Sequence, residues 1–122
     1  MAKILVVDDE TVLCTLLEKA LQREGFETIG ANSAEKALEI IGEESFDLIL
    51  TDIVMSGMDG LEFVKALRGE NIQTPVIAMT GYPKNVSEEK IMAHFQGVLY
   101  KPFQLKDLVS LVKSFFVFSV PF

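Results

Sequence analysis

The sequence alternates five times between a short apolar run and a longer segment with helical periodicity. The first run, residues 4–7, contains only aliphatic side chains, a pattern typical of a strand that is buried on both faces. Because such a strand needs helices on both sides of its sheet, the alternation predicts an α/β fold with a parallel sheet. The other four strands are predicted at residues 26–31, 48–50, 75–79 and 98–100.

The segments between these strands carry start and stop signals of helices. Leu13, Leu17 and Leu21 recur at helical spacing in the first segment, and Gly25 is expected to end that helix. A capping residue followed three positions later by glutamate is expected to begin each of the next three helices. These pairs are Asn32 with Glu35, Asp59 with Glu62 and Asn85 with Glu88, and the last helix is expected to carry Leu105, Leu108, Val109 and Val112.

Length and charge favour one acidic domain over residues 1–122. The chain has 122 residues, of which 49% are hydrophobic, enough to bury a core without disulfides. Its net charge of -7 opposes direct binding to nucleic acid or to an anionic membrane surface. No apolar run approaches the roughly 20 residues that span a bilayer. The single cysteine, Cys14, fits a reducing compartment, so we expect a cytoplasmic protein.

Polar residues follow four of the five predicted strands at the point where each strand ends. Asp8 and Asp9 follow the first strand, Asp52 the third, Thr80 the fourth and Lys101 the fifth. Because the carboxyl ends of parallel strands meet at one edge of a sheet, these side chains are expected to converge there. The sequence therefore predicts three carboxylates, a hydroxyl and an ammonium group at one edge.

This set of groups suits a divalent cation and phosphoryl chemistry. Clustered carboxylates repel one another, and Mg²⁺ or Mn²⁺ offsets that repulsion with oxygen ligands. A carboxylate can attack phosphorus to form an aspartyl phosphate, and the cation and Lys101 would balance the charge of the phosphoryl oxygens. Thr80 would donate a hydrogen bond to a phosphoryl oxygen. The set contains no obvious general base for rapid turnover.

Five motifs stand in order along nearly the whole chain, and together they resemble the receiver domain of two-component response regulators. The resemblance implies a flavodoxin-like, doubly wound sheet of five parallel strands in the order 2-1-3-4-5, with five helices. The motifs are Val6-Val7-Asp8-Asp9, Leu50-Thr51-Asp52-Ile53-Val54-Met55, Met58-Asp59-Gly60, Met79-Thr80-Gly81 and Lys101-Pro102-Phe103.

The resemblance also assigns a metal site. It implies that Asp9 binds Mg²⁺ directly, that Asp8 acts mainly through water, and that the backbone carbonyl of Val54 is a further ligand. Asp52 corresponds to the phosphoacceptor and belongs to the same ligand set.

The resemblance further implies that Thr80 is the switch hydroxyl and that Lys101 binds the phosphate, with a cis bond between Lys101 and Pro102. The implied upstream partner is a sensor histidine kinase or a phosphotransfer protein, and the implied output is contact with a downstream protein. We expect a monomer or weak dimer that accepts a phosphoryl group and loses it slowly, not a turnover enzyme.

Three positions depart from the family pattern. Ser56 stands where the family usually has proline, and Val98 stands where it usually has the switch aromatic. Tyr100, two residues further along the strand, faces the same side of the sheet and is expected to take over that part. Val54 and Tyr82 border the path of the hydrolytic water in the family, and neither is Asn or Glu, so we expect slow self-dephosphorylation.

Two alternatives and one segment stay open at this point. A metal-dependent phosphohydrolase would use Asp52 as a turnover nucleophile, and a receiver-shaped adaptor would never be phosphorylated. Phe115 and Phe116 are expected to complete the core face of the last helix. Residues 117–122 form an atypical apolar tail that either folds back or docks a partner.

Overall fold

Five helices alternate with five strands in the part of the chain that the computed structural model describes, residues 2–81 and 87–116. The helices are α1 (Thr11–Arg23), α2 (Ala34–Ile41), α3 (Gly60–Gly69), α4 (Glu88–His94) and α5 (Leu105–Ser114). The strands are β1 (Lys3–Val7), β2 (Glu27–Ala31), β3 (Leu48–Asp52), β4 (Val76–Thr80) and β5 (Gly97–Tyr100). All neighbouring strands are parallel and lie in the order β2-β1-β3-β4-β5, which confirms the predicted fold.

The apolar run of β1 is buried because helices cover both faces of the sheet. Leu5 and Val7 belong to a core formed with α2, α3 and α4, whereas Ile4 and Val6 belong to a second core formed with α1 and α5. Since successive side chains point to opposite faces, a strand between two helical layers has no face that is exposed to water.

The ends of several elements differ from the predicted ends by one or two residues. Phe26 lies outside β2, and Pro75 lies just before β4, where its carbonyl accepts a hydrogen bond from Ile49 N–H at 3.0 Å. At the carboxyl ends, Asp52 and Thr80 are the last residues of β3 and β4. Both side chains are therefore positioned by the sheet itself.

The N-terminal caps of α2 and α3 show whether the predicted capping residues begin these helices. Asp59 and Glu62 form a reciprocal capping box, with hydrogen bonds of 2.8 and 3.1 Å, as predicted. The prediction that Asn32 caps α2 was wrong, since Ser33 is the extended residue before the helix and its Oγ accepts a hydrogen bond from Lys36 N–H at 3.0 Å.

The start of α4 is described only from Ser87 onwards. Ser87 caps α4 and accepts a hydrogen bond from Lys90 N–H at 3.3 Å. The predicted cap Asn85 lies outside the described residues.

The end of the chain is described as far as Phe116. Phe115 and Phe116 pack against the core between the sheet and helices α1 and α5, and the ring of Phe116 lies 5.4 Å from that of Phe26. The apolar tail, residues 117–122, lies outside the described residues. Among the described helices, none combines the length and apolar character needed to cross a membrane.

Gly60 begins α3 directly against the backbone of the phosphoacceptor candidate. Its N–H donates to the carbonyl of Ile53 at 2.8 Å, and a Cβ at this position would collide with the carbonyl oxygen of Asp52. A Cβ would also lie 2.9 Å from the Cα of Ile53. Only glycine allows the helix to approach the end of β3 this closely.

Gly60→Ala is therefore expected to lower the free energy of unfolding by about 1–3 kcal/mol, because backbone atoms must shift to admit the methyl group. Gly69→Ala in the same helix is the control, since a Cβ there meets no atom within 4 Å. The control should be neutral or stabilising by up to about 1 kcal/mol. Chemical denaturation measures both variants, and equal stabilities would contradict the close approach at Gly60.

Candidate functional site

The sheet brings the predicted strand-end residues to one edge. Thr51 of β3 is in register with Val7 of β1, so Asp52 and Asp8 each lie one residue beyond that pair. The structure therefore places the ends of β1 and β3 side by side, as the sequence predicted.

Lys101 links the carboxylates of β1 and β3. Its Nζ lies 2.9 Å from Asp52 Oδ2, to which it donates a hydrogen bond, and 3.6 Å from Asp8 Oδ2. Burial lowers the pKa of Lys101, but the hydrogen bond and charge of Asp52, together with the charge of Asp8, outweigh it and raise the pKa. The ammonium group therefore stays charged at the buried end of β3.

The backbone around Lys101 is held against β4. Lys101 N–H donates to the carbonyl of Thr80 at 2.7 Å, and the Lys101–Pro102 peptide bond is cis, as the resemblance implied. The long lysine side chain thus starts at the edge of the sheet, beyond β5, and reaches past β4 to the middle strand.

Asp8 carries a buried carboxylate with an unused oxygen. The residue is 0% exposed, and its Oδ1 accepts a hydrogen bond from Glu10 N–H at 2.9 Å. Its Oδ2 has no hydrogen-bond partner among the described residues, apart from the longer ion pair to Lys101. Burial raises the pKa of the Asp8 carboxyl group, with the nearby charge of Asp52 adding to the effect. An unpartnered buried oxygen of this kind suits a bound cation.

Glu10 joins the acidic group, which the sequence reasoning missed. Within the described residues, one carboxylate oxygen each from Asp8, Glu10 and Asp52 lie within 4.8 Å of one another. The sequence did contain a signal for Glu10, because it is the third consecutive acidic residue after β1. Three such oxygens fit the oxygen-rich shell that Mg²⁺ prefers, so the donor set passes a chemical test for this metal.

Asp9, the predicted direct metal ligand, lies outside that group of three. Its carboxylate is exposed, and its Oδ2 accepts a hydrogen bond from Ser56 N–H at 3.2 Å. The direct contact between Asp9 and the metal therefore stays a prediction.

Three further predicted residues, Thr80, Val54 and Tyr100, lie at or just beyond the ends of their strands. Thr80 is 2% exposed at the end of β4, and Val54, two residues beyond β3, is 56% exposed. Tyr100 is in register with Thr80 and is 42% exposed, whereas Val98 packs against the core that includes α4. Tyr82 lies outside the described residues.

Comparison with known protein families identifies the family of this chain. A model of the response regulator receiver domain matches residues 4–113 of the chain. The chain belongs to this family. The resemblance inferred from the strand-end motifs is thereby confirmed, and the receiver domain is a signalling domain of two-component systems.

The receiver domain is similar to curated regulators over part of their length. Transcriptional regulatory protein CpxR of Escherichia coli K12 is 37% identical over 117 residues, which cover 93% of this chain and 49% of CpxR. The chain thus spans about half the length of the curated relative it matches.

Solved structures show the same fold over nearly their whole length. The receiver domain of Francisella response regulator 1452 has a TM-score of 0.87 and 28% identity, covering 95% of this chain and 97% of its own. Response regulator TrrA of Thermotoga maritima, solved in complex with Mg²⁺-BeF, has a TM-score of 0.84 and 34% identity, covering 94% and 99%.

Asp8→Asn is expected to raise the free energy of unfolding of the metal-free receiver domain at pH 7, because burial and the charge of Asp52 disfavour the ionised Asp8 carboxylate. The amide removes a buried charge and its repulsion with Asp52, while its oxygen still accepts from Glu10 N–H. Because the pKa of Asp8 is raised, the folded protein takes up this proton before the unfolded chain does. The gain should therefore shrink as the pH falls through that pKa.

Thermal and denaturant unfolding in EDTA between pH 4 and 8 measure this dependence. With Mg²⁺ bound at the acidic group, the order of the two stabilities should reverse, since the variant lacks one of the three clustered carboxylate charges. A variant less stable than wild type at pH 7 without metal would contradict the account of Asp8.

Proposed function

We propose that Asp52 accepts a phosphoryl group from a phosphohistidine, carried by a sensor histidine kinase or a phosphotransfer protein. The observation that carries the proposal is the position of Lys101 Nζ, 2.9 Å from Asp52 Oδ2 at the edge of the sheet. One receiver domain would account for residues 1–122. The phosphorylated form would then signal by altered contacts with a downstream protein in the cytoplasm.

The transfer step uses the groups that the sheet brings together. A carboxylate oxygen of Asp52 attacks phosphorus, the P–N bond to the histidine breaks, and its electron pair returns to the imidazole nitrogen. The ammonium group of Lys101 lies beside the attacking carboxylate and balances negative charge on the phosphoryl oxygens. Thr80, buried at the end of the next strand, donates a hydrogen bond to the transferred group.

The acidic residues would hold a divalent metal, Mg²⁺ or alternatively Mn²⁺. We assign the ligands to Asp8, Asp9, Asp52 and the carbonyl of Val54, and the structure adds Glu10 to the candidates. When bound, the metal supplies positive charge next to the phosphoryl oxygens. The unpartnered Oδ2 of Asp8 and the three clustered carboxylates support this assignment.

Transmission would run from Thr80 to the neighbouring strand. Thr80 moves toward the phosphoryl group on Asp52 and opens space on the face of the sheet that Tyr100 shares with Val98. Tyr100, the register partner of Thr80 on β5, then moves into that space. In this proposal Tyr100 replaces the aromatic that the family has at the position of Val98.

A phosphoacceptor fits this site better than a turnover phosphohydrolase. Asp52 is only 6% exposed and is already paired with Lys101, which leaves little space for water around its carboxylate. Slow loss of the phosphoryl group, rather than repeated turnover, follows from this enclosure. The paired lysine also argues against an adaptor that is never phosphorylated.

Incubation with acetyl phosphate and Mg²⁺ is expected to add one labile phosphoryl group to the wild-type protein. Asp52→Asn removes the nucleophilic oxygen and should abolish the adduct, whereas Asp107→Asn on the exposed side of α5 should label as wild type does. Intact-protein mass spectrometry before and after alkaline treatment measures the adduct. Equal labelling of Asp52→Asn, or no labelling of wild type, would refute the proposed function.

Val54→Asn is expected to shorten the lifetime of the aspartyl phosphate by about tenfold, which corresponds to about 1.4 kcal/mol of water positioning. Val54 is exposed next to the phosphoacceptor and has no group that orients an attacking water. Val54→Ala is the control, since it reduces bulk without adding a polar group. Decay of the phosphorylated proteins after removal of acetyl phosphate measures the rates. The explanation fails if Asn and Ala give the same rate as Val.

A further inference from the structure

The loop that follows the phosphoacceptor is held by carboxylates from two other elements. This segment, residues 53–59, is called the site loop here, and it joins β3 to α3. Its two ends are closed by the hydrogen bond from Gly60 N–H to the carbonyl of Ile53, at 2.8 Å. Between these ends the loop has no helix or strand ladder, so its N–H groups need other partners.

Beside the capping bond from Asp59 N–H to Glu62, two side chains from outside α3 supply partners to the middle of the loop. Asp9 Oδ2 accepts from Ser56 N–H at 3.2 Å, and Glu35 Oε2 accepts from Met58 N–H at 3.2 Å. Asp9 belongs to the proposed metal ligands. Glu35 does not, because it lies in the first turn of α2, outside the acidic group around Asp52.

Gly57 lets the carboxylate of Glu35 approach the loop. Its φ of +76° lies in the left-handed region, which favours glycine. A Cβ at this position would lie only 2.8 Å from Glu35 Oε2. The Glu35 carboxylate therefore contacts the loop at two points. It accepts a hydrogen bond from the Met58 N–H, and it packs against Gly57, which has no side chain to obstruct it.

The site loop carries Val54, whose backbone carbonyl is a proposed metal ligand. A carbonyl in a loop contributes to metal affinity only when the loop already holds it in place, because ordering the loop costs free energy. Two side chains therefore hold the loop that carries the Val54 carbonyl. One is Asp9, itself a proposed metal ligand, and the other is Glu35 of α2.

We propose that Glu35 is a positioning residue that holds the site loop in its metal-binding conformation and thereby sets the affinity for Mg²⁺. The proposal rests on the metal site described under the proposed function. Glu35 acts through the Met58 N–H and the loop, and it does not touch the metal. This role makes α2 part of the phosphorylation machinery.

Three variants separate this role from charge and from helix stability. Glu35→Ala removes both the acceptor oxygen and the charge, whereas Glu35→Gln keeps an acceptor oxygen and removes only the charge. Glu39→Ala removes the same charge one turn further along α2, where the exposed side chain pairs with Lys36. A purely structural role of Glu35 in the first turn of α2 would affect Ala and Gln variants alike.

Titration calorimetry with MgCl₂ is the test. Glu35→Ala should weaken Mg²⁺ binding by about tenfold, as expected when a residue that orients a ligand is lost. Glu35→Gln and Glu39→Ala should bind within about twofold of wild type, since exposed charges outside the acidic group are screened by salt. In the metal-free protein, hydrogen exchange of the Met58 amide should be faster in Glu35→Ala than in Glu35→Gln.

Each outcome has a distinct meaning. If wild type binds Mg²⁺ and Glu35→Ala binds as tightly as Glu39→Ala, the positioning role is refuted while the proposed function stands. If Glu35→Gln is as weak as Glu35→Ala, the effect is one of charge, and the positioning role is again refuted. If wild type binds no Mg²⁺, the metal site of the proposed function fails and this inference fails with it.

Discussion

The ion pair between Lys101 and Asp52 is the interaction on which the candidate site depends. Two carboxylates, those of Asp8 and Asp52, are buried at the ends of adjacent strands, and burying like charges together is unfavourable without compensation. Lys101 provides that compensation from the end of β5, across β4, because its long side chain reaches the middle strand. The strand order therefore determines which groups meet, and among the described residues it leaves Asp8 Oδ2 without a hydrogen-bond partner.

The site extends beyond the strand ends through the loop after Asp52. Gly60 brings α3 against the backbone of Asp52, so the loop between them is short and closed. Its middle is held by Asp9 on one side and by Glu35 on the other. In this arrangement Asp9 and Glu35 are linked through the backbone of the same loop. The proposed signalling residues Thr80 and Tyr100 lie on the opposite side, at β4 and β5.

The sequence was sufficient for the fold and for the residues placed by strands. Asp52, Thr80 and Lys101 could be placed at this edge of the sheet because a strand end has a defined position there. The position of the Glu10 carboxylate could not be predicted this way, since it depends on the turn after β1. The extended backbone of Glu10 lets it share the side of Asp8, as alternate residues of a strand do, while Asp9 turns toward Ser56. Likewise, Ser33 rather than Asn32 caps α2, since Ser33 is the extended residue just before the helix and its Oγ accepts a hydrogen bond from Lys36 N–H.

A crystal structure determined with Mg²⁺ and beryllofluoride, a tetrahedral mimic of a phosphoryl group, would show whether Asp52 is the phosphoacceptor. We expect beryllofluoride on a carboxylate oxygen of Asp52, with Lys101 Nζ and the Thr80 hydroxyl in contact with its fluorine atoms. We also expect one Mg²⁺ beside Asp8 and Asp52. Beryllofluoride bound elsewhere, or a metal that Asp8 Oδ2 contacts neither directly nor through a water, would refute the proposed site.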